Sequence, residues 1–217
     1  SYFKNKNFKL AFILIFSITF FITIGFFNNV KISFFEKYIE TCFLIISFIS
    51  TTGLVPNDLY QYGALTNLAL VLGLLTLIGG SVSSTTGGLK PTRLIYIYKY
   101  ISIELFRLCN PRKIKAKEQI YSIDETSQIF IFTILYLSII PILSSIMSLF
   151  EINFEEAFII VVSAFSNTGI GLIKIANINY YPETFMEIIL LSIIMLCGRI
   201  EIFITMILLS SIFWKKI

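Results

Sequence analysis

Ser47-Phe48-Ile49-Ser50-Thr51-Thr52-Gly53 and Ser163-Ala164-Phe165-Ser166-Asn167-Thr168-Gly169 decide how this chain is read. They align at a constant offset of 116 residues, with Ser, Ser, Thr and Gly identical, and Glu40 and Glu156 fall at the same offset. Each closes a ten-residue apolar stretch, Thr41–Ser50 and Ala157–Ser166. At about 1.5 Å per helical residue such a stretch covers roughly 15 Å, half of a ~30 Å hydrocarbon core. A helix that stops there must hand its backbone polar groups to protein or water, because lipid satisfies none of them. The expectation is a re-entrant helix that descends halfway and returns as an extended strand, once per copy of a tandem duplication.

The surrounding sequence fits a membrane. With 56% hydrophobic and 14% charged residues, the chain lacks the polar skin of a soluble domain. Leu10–Phe27 and Ser127–Phe150 carry no charge over 18 and 24 residues, long enough to span, with Pro141 expected to kink the second. Ala64–Gly80 and Ile188–Trp214 are two more candidate spans, each interrupted. Each unit then reads as helix, half-helix, polar strand, helix. The chain starts Ser-Tyr-Phe, which reads as a fragment of a longer product, and no signal-peptide cleavage site follows Leu10–Phe27.

Charge sets the expected orientation. Lys4, Lys6 and Lys9, the eight basic residues between Lys90 and Asp124, and Lys215-Lys216 together make up most of the 17 basic residues. Placing all three groups, and hence both termini, in the cytoplasm obeys the positive-inside rule. Each half-helix then enters and leaves on the outer side. The outer loops are acidic, with Glu36, Glu40, Asp58, Glu151, Glu155, Glu156 and Glu183, a distribution that concentrates cations at a pore mouth.

Enzyme chemistry is poorly served. There is no His, Cys42, Cys109 and Cys197 share no metal or disulfide spacing, and no intramembrane carboxylate pair or phosphate-loop pattern occurs. No bound cofactor and no nucleic-acid partner are expected. Thr51, Thr52, Gly53, Asn167, Thr168 and Gly169 are instead candidate selectivity-filter residues. An ion stripped of water needs oxygen ligands, and glycine lets the backbone turn its carbonyls toward an axis. A plain glycine cap on a helix end is the alternative reading.

Gly79-Gly80-Ser81-Val82-Ser83-Ser84-Thr85-Thr86-Gly87-Gly88-Leu89-Lys90 interrupts the apolar run that starts near Ala64. Its glycines and hydroxyls suit a wet cavity, where the hydroxyls bond freed backbone groups, or else a flexible cytoplasmic linker. As a gate, its working residues are Gly79, Gly80, Ser81, Ser84, Thr85, Gly87 and Gly88. Arg199 lies inside the last apolar segment, and burying such a charge at a bilayer centre costs at least about 2.5 kcal/mol. It must therefore face protein or water, held by loop carbonyls or packed against another helix. Glu201, two residues on, points to a different face and is a poor partner.

These motifs resemble the Trk/Ktr/HKT family of cation transporters. Gly79–Lys90 is similar to its intramembrane gating loop and Thr51-Thr52-Gly53 to its third filter. Ser166-Asn167-Thr168-Gly169-Ile170-Gly171-Leu172 is similar to its fourth filter, and Gly198-Arg199-Ile200-Glu201 to the G-R-x-E signature of its last helix. The likeness runs from about Phe8 to Trp214. It implies an all-α integral membrane fold with two tandem helix–P-loop–helix (M1-P-M2) repeats, residues 1–120 and 121–217, half of a four-repeat potassium-channel-like pore. It implies potassium as the transported ion, with flux gated by the glycine loop and Arg199, in the inner membrane. The implied partners are the missing N-terminal repeats or a chain carrying them, a second copy in a homodimer, the lipid bilayer, and a cytosolic nucleotide-binding regulatory subunit (TrkA/KtrA-like). The alternative is a truncated or split-gene half-subunit that does not transport by itself.

Overall fold

The computed structural model describes residues 18–25, 33–56, 66–80, 87–109 and 123–200, and all regular structure among them is helical. Helical residues 18–25 (α1) are followed by α2 (Phe34–Ile49), α3 (Thr66–Ile78), α4 (Pro91–Cys109) and α5 (Ile123–Met147). A 3-10 turn (Ser148–Phe150) then leads to α6 (Phe154–Phe165), α7 (Gly171–Ile175) and α8 (Phe185–Ile200).

α2 and α6 cover the two apolar stretches expected to form half-helices. Both begin with carboxylates in the first turn, Glu36 in α2 and Glu155 and Glu156 in α6, where the positive end of the helix dipole favours them. Both end on a serine, Ser50 and Ser166, whose amides bond back to Ile46 and Val162 at 2.9 Å. At 16 and 12 residues they run further at the N-terminus than the apolar stretches. Acidic first turns let each helix begin before its apolar run does.

Around α6 sits the core. It packs against α3, α5, α7 and α8, and every residue from Ile159 to Phe165 is buried. Phe165 meets Tyr136 of α5 with ring centroids 4.9 Å apart, and Tyr136 stacks along its own helix on Phe132. α3 lies against α2 and also reaches α6 and α7, so it touches helices of both copies of the repeat. Gly73 makes that approach possible: a Cβ there would press Val162 at 3.2 Å. α2 is buried on one face only, through Thr41, Leu44, Ile45, Ser47 and Phe48.

Ser127–Phe150 is, among the described residues, the one helical stretch long and apolar enough to cross a membrane. α5 runs unbroken through Pro141. The candidate span Ala64–Gly80 appears as the 13-residue α3, and Ile188–Trp214 is described only as far as α8 extends. Most of Leu10–Phe27 lies outside the described residues.

Candidate ion pathway

The turns after α2 and α6 share one hydrogen-bond pattern. The amide of Thr51 bonds to Phe48 O and that of Asn167 to Ala164 O, at 3.1 and 3.2 Å. Thr52 N reaches Ser47 O at 2.8 Å, and Thr168 N reaches Ser163 O at 3.1 Å. The hydroxyls of Ser50 and Thr52 lie 2.9 Å apart, those of Ser166 and Thr168 3.0 Å apart. The amides are thus folded back onto the last carbonyls of each helix, groups that a helix C-terminus leaves without partners. Among the described residues no hydrogen bond is directed at the carbonyls of Thr51, Thr52, Gly53 or Asn167.

Two serines hold the returning chain. Ser47 Oγ donates to Leu54 O at 2.9 Å and Ser163 Oγ to Gly169 O at 2.6 Å. In the sequence these serines stand out as part of the repeat but carry no evident role. Their identity at equal offset was the available signal.

The backbone alternates in both turns. Thr51 and Gly53 have φ of 56° and 71°, and Asn167 and Gly169 have 58° and 68°. Left-handed backbone at every second residue turns successive carbonyls in a way an extended strand cannot. Neither return is a regular strand: residues 52–56 have no regular structure, and in the second copy the chain turns at Gly169 and enters the short helix α7. The absence of a side chain matters most at Gly53, where a Cβ would overlap Thr168 O, and Gly171 likewise abuts Gly53 O. The fold brings two turns that are far apart in sequence into backbone contact.

The glycine loop lies beside them. Its two ends are clasped by Leu89 N to Leu77 O at 2.8 Å and Lys90 N to Ile78 O at 3.0 Å. Gly79 and Gly88 pack backbone to backbone, both with positive φ, and Gly80 is half-buried next to them. Gly87 is buried, and a Cβ on it would sit 3.2 Å from Ser166 O and 3.3 Å from Gly198 O. One end of the loop is therefore wedged between the turn after α6 and α8. Ser81, Ser84 and Thr85 lie outside the described residues.

α8 reaches the same place. Gly198 packs so closely on Phe165 O that no side chain fits, and the Asn167 amide nitrogen donates to Met195 O at 3.4 Å. Next to Gly198, Arg199 is exposed and makes no hydrogen bond or ion pair among the described residues. The expected grip of loop carbonyls on its guanidinium is not seen among those residues. Toward the start of α8 the Thr184 hydroxyl donates to the Glu187 carboxylate at 2.9 Å, and the Glu187 amide donates back to Thr184 Oγ at 3.3 Å. Tyr180 OH donates to the same carboxylate at 3.2 Å. Burial first, then the Glu187 charge and this bond, push the Tyr180 phenol above its ordinary pKa. A cavity of about 510 Å³ runs from Asn167 and Gly169 past Lys174 to Tyr180.

Residues 7–216 match the TrkH family model, described as a cation transport protein. The chain is 25% identical over 183 residues to the Trk system potassium uptake protein TrkG of Escherichia coli, covering 83% of this chain and 37% of that one. It is 27% identical over 187 residues to the Trk system potassium uptake protein TrkI of Halomonas elongata, covering 84% and 38%. The crystal structure of the potassium transporter TrkH from Vibrio parahaemolyticus superposes with a TM-score of 0.79 at 25% identity, over 98% of this chain and 46% of that one. The chain thus spans less than half the length of these relatives. The family match over nearly all of its residues shows that the chain belongs to the TrkH family of cation transport proteins.

Proposed function

We propose that this chain supplies two helix–P-loop–helix repeats, residues 1–120 and 121–217, to a pore that moves potassium across the inner membrane. The observation that supports this reading most is the duplicated turn. Two helix ends fold their amides inward by the same bonds, leave carbonyl oxygens to accept, and meet each other through Gly53, Thr168 and Gly171. In this reading Thr51, Thr52, Gly53, Asn167, Thr168 and Gly169 line the filter. The loop from Gly79 to Gly88, with Ser81, Ser84 and Thr85 at its centre, closes the pathway beneath it. Arg199 stands beside the wedged end of the loop and repels cations while the gate is shut. No cofactor is bound, and potassium is the cargo. The remaining repeats come from further residues of the same polypeptide or from a partner chain. The working assembly is a homodimer with a cytosolic nucleotide-binding regulator, with both termini cytoplasmic.

The test is potassium uptake by cells that lack their own uptake systems and express the complete reading frame. Uptake should appear, and Arg199→Ala or a shortened loop should raise it and weaken its dependence on the regulator. If both changes leave transport unaltered, or remove it only through loss of folded protein, Arg199 is a packing residue and the loop is no gate. The second reading is a truncated or split-gene half-subunit that is silent by itself. An upstream frame carrying two more S-x-x-S-x-x-G repeats would support it.

A further inference from the structure

α4 carries a face that no described element covers. On a 3.6-residue turn, Tyr98, Ile101, Leu105 and Leu108 form one stripe, with Ile95 and Phe106 along its flank, and all six are exposed. On its other side the helix is tied to α5: Arg93 lies over the Phe132 ring at 3.8 Å, and Tyr100 meets Phe130 edge-on at 5.2 Å. The exposed arc is too apolar for open water. Yet the helix holds Arg93, Lys99, Glu104 and Arg107 within 19 residues, too much charge to span a hydrocarbon core. Such a helix lies in the plane of the interface, apolar side down.

Charge selects the lipid. Lys99 is exposed at the edge of the apolar arc, on the same side of the helix as Phe106. From Lys90 to Lys117 the sequence holds eight basic residues and a single acidic one, Glu104. Tyr98, on the exposed face, is the residue type that settles at headgroup depth. We propose that α4 is an interfacial helix whose exposed face docks on anionic lipid headgroups of the cytoplasmic leaflet. The helix starts at Pro91, directly after the Leu89 and Lys90 clasp that closes the glycine loop. Docking therefore anchors one end of the loop to the membrane surface. The inference rests on the membrane reading given above.

The experiment places a fluorophore on single cysteines in the complete polypeptide, with Cys42, Cys109 and Cys197 replaced. The protein is reconstituted in phosphatidylcholine vesicles with or without phosphatidylglycerol. Labels at Tyr98→Cys and Leu105→Cys should be quenched several-fold more by shallow spin-labelled lipid than by iodide, and a label at Lys99→Cys about equally by both. In the Leu105-labelled protein, Lys99→Gln should lower quenching by spin-labelled phosphatidylglycerol, relative to phosphatidylcholine, roughly fivefold, and Lys99→Glu by more. Strong iodide quenching at 98 and 105 would leave the face to a water-borne protein partner and overturn the proposal. So would shielding from both quenchers with Leu105→Cys cross-linking between copies, which assigns the face to a second chain. An unchanged lipid preference in both Lys99 variants would overturn the anionic headgroup. The measurement reads depth and headgroup choice, not flux, so its failure and a failure of potassium uptake are separate results.

Discussion

The two units build the same turn on different supports. In the second unit the C-terminal half of α6 is enclosed on all sides, and its end is pressed by Gly198 of α8 and by Gly87 of the loop. In the first unit α2 exposes Ile39, Phe43 and Ile46, each about half accessible. The helices that follow differ as well. α8 continues through Gly198, whereas α3 ends at Ile78 and the chain leaves the helix at Gly79 with φ of 72°. Aligned with a three-residue longer outer loop, these two glycines are counterparts. A shared hydrogen-bond pattern therefore fixes the turn, while the helix behind it is free to be continuous in one unit and broken in the other. The duplicated part is the one proposed to face the ion, and the divergent part is the one proposed to move.

The largest effect should come from the glycines whose neighbours leave no room. Gly53→Ala drives a Cβ into Thr168 O, and Gly198→Ala drives one into Phe165 O. Each should cost about 3 kcal/mol or more, the first including its left-handed backbone. Thermal unfolding of the purified protein should show both, with Gly25→Ala, where a Cβ meets nothing within 4 Å, as the near-neutral control.

Gly169→Ala should be milder, and that asymmetry sharpens the comparison. A Cβ there also meets nothing within 4 Å, so only the φ of 68° is strained, roughly 1–2 kcal/mol. Folded yield should stay near normal while the potassium-to-sodium uptake ratio falls. Equal damage from Gly53→Ala and Gly169→Ala would show that the two turns do not meet as described.

Ser47→Ala and Ser163→Ala each remove one hydroxyl-to-carbonyl bond, worth about 1 kcal/mol. The two should loosen ion preference by similar factors if the turns are equivalent. A change in only one of them would confine the filter to that unit.

The smallest effect concerns pH. The Tyr180 phenol keeps its proton in the folded chain at a pH where the unfolded chain has lost it. Its contribution to stability is therefore full below pH about 10 and declines above it. Tyr180→Phe should flatten that alkaline decline in an unfolding titration, on top of a pH-independent loss of about 1 kcal/mol for the bond to the Glu187 carboxylate.

Much of this was legible beforehand because the informative residues repeat. Ser47 and Ser163, Thr52 and Thr168, and Gly53 and Gly169 announced two equal turns, and the glycines at 79, 87 and 88 announced a break. What could not be read was how a turn is closed. Periodicity and length fix where a helix stops, but the choice between a strand and a left-handed turn depends on which carbonyls the amides find, a matter of three-dimensional bonding. Nor could local sequence tell that Gly171 and Gly198, although each falls in a recognised motif, are spacers for distant backbone. The contact of Gly87 with Ser166 and Gly198 joins segments that no pattern in the chain connects.

The inward-folded amides of the turns also determine which ions could be rejected. An anion needs donors, and the N–H groups of Thr51, Thr52 and Gly53, like those of Asn167 and Thr168, are already occupied by carbonyls of their own helix. In the proposed pathway these five amides would offer an anion no donor. In that reading, discrimination by sign would rest partly on the folded backbone, and neutralising the outer carboxylates should leave that part in place.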